Sequence, residues 1–314
     1  MCSVCVVTKC YNVKRKQKGY IIILSKETLL EQFISFYKEH KPEKMEDAIE
    51  KFAIFGGVGW GQIDTSKEAV ELIKELILPD FRYIRNDVTE LTDGMPLHHS
   101  ILSAIALGDG RTHTAYRRAN VSKEVGDKAV EELCESGVIR LEKSKAVFTS
   151  WEDAEKVSNR LYFTSPFLRF WFAFVSPIFK GIRDGDYKEL EERYANRSAE
   201  FLQLPFVELS HELLKSTFKE DPIEAISEYW DNETHLEIFA TTKSGKTVVG
   251  TCKYTNAKTK KSEFTRLQEA CEKAGIKADV FVIVSKSGFS KELKSLKGEN
   301  LKLLTLKNFK SLVV

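Results

Sequence analysis

The stretch His235-Leu-Glu-Ile-Phe-Ala-Thr-Thr-Lys-Ser-Gly-Lys-Thr-Val-Val-Gly-Thr-Cys-Lys-Tyr254 decides how the C-terminal half of this chain is read. Two runs rich in β-branched and aromatic residues flank Lys243-Ser-Gly245-Lys246, so the spacing predicts a hairpin with its turn at Gly245. An acid on one such strand and an acid-x-Lys on the next can share Mg²⁺. The metal then polarises a scissile phosphate and activates water, and the lysine steadies the developing charge. Glu237 stands at the first acid and Lys253 at the lysine, but Thr251 occupies the place of the second acid. A hydroxyl cannot replace a carboxylate as an anionic ligand, so binding without cutting is the expectation. Glu208, on the preceding helix, is read as a further acid. The candidate catalytic set is therefore Glu237, Lys253 and Glu208, with Glu237 and Glu208 as metal ligands. His235 shares a face with Glu237 if the strand is regular, and is a minor candidate.

Outward from the hairpin, a helix is predicted over 197–218, with Pro205 near its start. Strands are predicted over 225–230, 235–241 and 247–253, then a helix over 262–274 and strands over 280–285 and 301–305. The run Val280-Phe-Val-Ile-Val284 is continuously apolar, as expected of a strand covered on both faces. The order α-β-β-β-α-β over 197–314 is that of a restriction-endonuclease-like domain. The end Gly245-Lys246-Thr247 resembles a phosphate loop, but a strand follows where such a loop needs a helix, so no nucleotide is expected.

Residues 96–150 hold a second pattern. Helices are expected over 97–107, 112–119 and 123–135, the last capped by Ser122 and closed by Gly137. Strands over 138–141 and 146–149 complete a winged helix-turn-helix. Its third helix would place Ser122, Lys123 and Lys128 near a DNA groove, with Lys143 and Lys145 at the wing tip. That helix also carries Glu124, Asp127, Glu131, Glu132 and Glu135, which weakens the case for DNA contact and leaves protein docking as an equal alternative.

Residues 1–95 read as a loose basic tail followed by a helical region. One helical pattern runs over 26–53, the glycine-rich bend Phe55-Gly-Gly-Val-Gly-Trp60 follows, and a helix capped by Ser66 covers 66–78. Residues 151–196 form an aromatic-rich connector whose apolar side chains point all round, which marks a buried element. Pro166, Arg169 and Pro177 interrupt its apolar run and exclude a membrane span. The fold class is thus mixed α/β and α: a helical lid-like N-terminal region, a winged helix and a nuclease-like domain.

The six cysteines lack paired spacing, and no secretory leader precedes them, so they read as reduced thiols in the cytoplasm. Cys2, Cys5 and Cys10 have no nearby fourth ligand for zinc. His98 and His99 read as satisfied or solvent-exposed histidines. The net charge of +2 conceals an asymmetry, since residues 241–314 hold 16 Lys/Arg against 6 Asp/Glu. A basic C-terminal third is compatible with a phosphate-backbone partner, and equally with a solvated lysine-rich surface.

Three stretches together resemble one family: the helices around 101–108, Thr164-Ser-Pro-Phe-Leu-Arg-Phe-Trp-Phe172, and Gly250-Thr-Cys-Lys-Tyr254. They are similar to the region that follows the nucleotide-binding core of archaeal-type ATPases. There, a winged helix precedes a domain of unknown function related to PD-(D/E)xK nucleases. The segment Phe55-Gly-Gly57 resembles the lid of those ATPases. The resemblance covers about residues 50–314 and includes no P-loop core. Relatives carry Glu-Ile-Asp and Gly-Glu-Cys-Lys where this chain has His235-Leu-Glu237 and Gly250-Thr-Cys-Lys253. The expected function is double-stranded DNA binding through a degenerate nuclease-like domain, with Lys243, Lys246, Lys253, Lys258, Lys260 and Lys261 on phosphates. The alternatives are a Mg²⁺-dependent DNA nuclease, or an assembly module for a separate protein partner.

Overall fold

A computed structural model describes Leu24 and residues 26–146 and 156–314. The basic tail with Cys2, Cys5 and Cys10, and residues 147–149 of the expected second wing strand, lie outside the described residues. The pattern over 26–53 resolves into two helices, α1 (Leu29–His40) and α2 (Met45–Phe55). Pro42 disfavours helical backbone at Lys41, which takes φ 47° and ends α1. The helix expected to start at Ser66 starts later, as α3 (Ala69–Leu72) running into a π-helical turn (Ile73–Ile77). Ser66 is drawn away from capping because its hydroxyl donates to Asp64 at 2.6 Å.

After α4 (Phe81–Leu91) come α5 (Pro96–Ile105), α6 (Thr112–Ala119) and α7 (Lys123–Glu135). Ser122 caps α7 by accepting the Val125 N–H. A Cβ at Gly126 would lie 2.5 Å from the Tyr116 ring, so only glycine lets α6 and α7 cross this closely. Strand β1 (Ile139–Glu142) pairs antiparallel with β2 (Arg160–Phe163). Arg111, between α5 and α6, bridges Arg160 antiparallel and adds a third rung.

The aromatic segment continues as α8 (Pro166–Phe170) and a π-helical turn (Trp171–Val175), with Phe167, Phe170, Trp171, Phe172 and Phe174 all buried. A short helix, α9 (Phe179–Arg183), leads to α10 (Lys188–Thr217). This single helix of 30 residues extends the one expected over 197–218 back to Lys188, across the expected boundary at residue 196. Pro205 inside α10 cannot donate to the Phe201 carbonyl. The buried Arg169 guanidinium takes that carbonyl at 2.8 Å and also the Ala106 carbonyl, at the end of α5, at 3.1 Å. One arginine thus joins α5, α8 and α10. Burial lowers its pKa to about 10, so it remains charged at neutral pH.

The C-terminal layer is a mixed sheet of order β3-β4-β5-β6-β7: Ile223–Trp230, His235–Thr242, Thr247–Lys253, Val280–Ser285 and Leu301–Thr305. The first three strands form an antiparallel meander and the last two continue it in parallel. Crossovers run through α11 (Lys261–Lys273) and α12 (Lys291–Ser295). Ile238, Val248, Cys252, Val282 and Val284 join the large core under α10. Leu236, Val249 and Ile283 join a second core with Leu267 of α11 and Leu293 of α12. The result is a sheet covered on both faces, as the apolar run of β6 requires.

Candidate functional site

Beyond the Ile238–Gly250 pair, β4 and β5 part, so residues 251–253 have no antiparallel partner on that side. In β4 the register against β3 shifts between Ser227–Phe239 and Tyr229–Leu236. The extra residue is a β-bulge at Glu237–Ile238, a feature that re-aims a side chain. Leu236 and Phe239 consequently lie toward the same core, although they are three residues apart.

The bulge turns Glu237 into the gap between the strands. Its Oε2 accepts the Cys252 N–H at 2.6 Å and the Thr251 hydroxyl at 2.7 Å. Its Oε1 accepts Gln203 Nε2, from α10, at 2.7 Å. The same Nε2 donates to Cys252 O at 2.8 Å, and Gln203 Oε1 accepts the Tyr254 N–H at 3.0 Å. His211 Nε2 bonds the Glu237 carbonyl at 2.7 Å. Side chains have therefore replaced the missing ladder partners of β5, and Thr251 serves as a donor to the carboxylate beside it.

The other candidate catalytic residues do not converge on Glu237. Glu208 accepts Arg140 Nη2 at 2.7 Å, and Arg140 lies over the Tyr162 ring. Gln203 and Glu208 are five residues apart on α10, about 140° around the axis, and their side chains take different partners, Glu237 and Arg140. Lys253 pairs with Glu263 of α11 at 3.0 Å. Lys253 and Arg266 draw Glu263 below the usual carboxylate range against the opposing effect of burial. Among the described residues, no group of three or more His, Cys, Asp or Glu side chains is arranged to hold a metal ion.

His235 belongs to a different constellation, because the bulge breaks the two-residue alternation. Its Nε2 lies 2.6 Å from Glu228 of β3. Buried Glu228 also accepts the Tyr162 hydroxyl at 2.8 Å and pairs with Arg160. Burial alone would raise the Glu228 pKa, but His235, Arg160 and Tyr162 together hold it at about 2. This cluster, with Trp230 Nε1 donating to Ser158 O at 2.9 Å, fastens β2 to the edge of the C-terminal sheet. Sequence reading missed Gln203, His211, Arg160, Tyr162 and Glu228. None of them sits in a local motif, and their roles come from contacts across 26 to 75 positions.

The candidate DNA-binding residues fall into separate places. Ser122, Lys123 and Lys128 are exposed on α7, but its outer face is acidic; Asp127 is bound by the Tyr116 hydroxyl at 2.8 Å. His98 is buried between the Thr92 carbonyl and Glu132, and His99 contacts the Thr92 hydroxyl. Lys143 and Lys145 are exposed, yet their loop is drawn onto the C-terminal layer, where the Ser144 hydroxyl donates to Trp230 O. Lys243 and Lys246 occupy the β4–β5 turn, while Lys258, Lys260 and Lys261 stand at the opposite end of β5. Gly245-Lys246-Thr247 opens a strand.

Fold and site together define a mixed α/β protein whose central carboxylate is enclosed by protein donors. Residues 171–265 match the family model DUF234, described as archaea bacterial proteins of unknown function, so the chain carries a DUF234 domain there. No curated protein and no solved structure matches the chain. No helix among the described residues is long and apolar enough to cross a membrane.

Proposed function

We propose that this chain is a DNA-binding protein built on a nuclease-like domain that does not cut. The observation that carries the non-catalytic part is the enclosure of Glu237. Both its oxygens accept hydrogen bonds from Gln203, Thr251 and the Cys252 N–H. Charge-assisted bonds of this kind stabilise a carboxylate without a cation. A metal would have to displace these donors, and neither Glu208 nor Thr251 supplies a second acid, so the residues present do not fit Mg²⁺.

The order α10-β3-β4-β5-α11-β6, with a meander joined to a parallel strand, supports a restriction-endonuclease-like fold. Three helices, a bridging strand residue at Arg111 and the β1–β2 pair support a winged helix. The DUF234 match takes in the hairpin and the end of the aromatic segment on which the likeness to archaeal-type ATPases rests. The lysines of residues 241–314 supply positive charge for a phosphate backbone.

A second reading has its own support. On α7 two lysines stand against five acidic residues, and the wing loop lies against the C-terminal layer. Those features favour α7 as a protein-docking helix, with a separate subunit as its partner. Fluorescence anisotropy on a labelled duplex, at low and near-physiological salt with Mg²⁺ present, tests the primary reading when the products are run on a gel. Salt-sensitive binding with intact DNA is expected. Cleavage that disappears in Glu237→Ala overturns the non-catalytic claim. Absence of binding at low salt overturns the DNA claim and leaves α7 docking.

A further inference from the structure

The parallel strands β5, β6 and β7 end on the same side of the sheet, at Lys253, Ser285 and Thr305. The loops leaving β5 and β6 are stapled together. The Thr259 N–H donates to Gly288 O at 2.8 Å and the Ser290 N–H to Thr259 O at 2.9 Å. The Thr259 hydroxyl donates to that of Ser285 at 2.8 Å, and the Ser287 hydroxyl to Thr255 O at 2.6 Å. This stapling places Lys291, the first residue of α12, near Lys258, Lys260 and Lys261, which lead into α11. All four lysines are exposed. Their neighbours Lys253 and Lys286 are paired, with Glu263 at 3.0 Å and Glu46 at 2.6 Å. Glu292 is held below the usual carboxylate range chiefly by the Ser290 hydroxyl and its own backbone N–H, with Lys260 adding a smaller favourable charge.

The opposite end of β5 differs. Asp221 enters the β4–β5 turn, accepts from Thr242 and Ser244, and is further stabilised as an anion by Lys246. The charge of that turn is therefore partly cancelled within the protein. The lysines that look like one basic run in sequence are two groups at opposite ends of a seven-residue strand.

We propose that Lys258, Lys260, Lys261 and Lys291 form one contact surface for the DNA phosphate backbone, and that the Lys243–Lys246 turn is not part of it. The inference rests on the DNA-binding reading above and adds Lys291. Physically, two loops already fixed by hydrogen bonds present the charges with little ordering left to be done on binding. No divalent cation is involved, so binding persists in EDTA.

The test compares the wild type, the triple variant K260Q/K261Q/K291Q and the double variant K243Q/K246Q by anisotropy on a labelled duplex over a salt series in EDTA. The substitutions are at exposed positions, so the three proteins melt alike by circular dichroism. Each phosphate contact contributes about 0.9 to the slope of log K against log salt. The triple variant is expected to flatten that slope by about 3, and the double variant to leave it unchanged. An unchanged slope in the triple variant, or a fall confined to the double variant, overturns this surface while the DNA reading stands. Wild-type protein with no salt-dependent binding overturns both.

Discussion

Thr251 shows how one side chain changes the chemistry of its surroundings. Where an acid would repel Glu237 and require a cation between them, the threonine hydroxyl donates to Glu237 at 2.7 Å. Thr251→Val removes that donor but keeps the shape, and is expected to lower stability by about 1 kcal/mol in urea unfolding. Gln203→Leu is more damaging because it strands Cys252 O, the Tyr254 N–H and one oxygen of Glu237 together. A loss of about 3 kcal/mol is expected there. Equal, small effects of the two substitutions would show that the enclosure contributes little. Thr251 and Glu237 were legible in the sequence as an incomplete pair. Gln203 was not, since an uncharged residue on a distant helix carries no mark of what it will touch.

Helices and strands are set by local patterns, and their junctions by single residues. Arg169 holds two carbonyls from α5 and α10, one of them left without an amide by Pro205. Arg169→Met strands both and is expected to cost about 4 kcal/mol by denaturant unfolding. Pro205→Ala in the same background should return part of it, by giving Phe201 O its helical donor. Gly126→Ala drives a methyl into the Tyr116 ring and should cost about 2 kcal/mol, with loss of α6–α7 contacts seen by NMR. At this scale, the periodicity located α6, α7, β5, β6 and β7 closely. Strand β2 (Arg160–Phe163) was not foreseen, because its residues read only as part of an aromatic-rich connector and a strand's own residues do not name its partner.

Across the whole molecule, the Glu228 cluster joins the β1–β2 unit to the C-terminal sheet. Its carboxyl titrates at about 2 when folded, against the ordinary glutamate value of 4.5 in an unfolded chain. A lowered folded value means that the stabilisation is fully present above the unfolded pKa and is lost as pH falls through the folded one. Stability should therefore decline between about pH 4.5 and pH 2, by on the order of 3 kcal/mol from this group. Urea titrations at pH 6, 4 and 3 check the direction, and Glu228→Gln should flatten the decline. A Glu228→Gln protein with the wild-type pH profile would place the acid sensitivity elsewhere.

By itself, the sequence determined the type and order of nearly every C-terminal element and the buried character of the aromatic connector, and it singled out Glu237 and Thr251, which the structure brings together. These follow from hydrophobic period and turn chemistry, which are local. Only the tertiary structure decided which groups meet: Gln203 with Glu237, Arg140 with Glu208, Lys253 with Glu263, and Lys291 near Lys260. A bulge that breaks a strand's alternation and a helix that turns about 100° per residue redirect side chains without leaving a trace in residue type. The site was therefore readable as a set of letters, and its closure only as geometry.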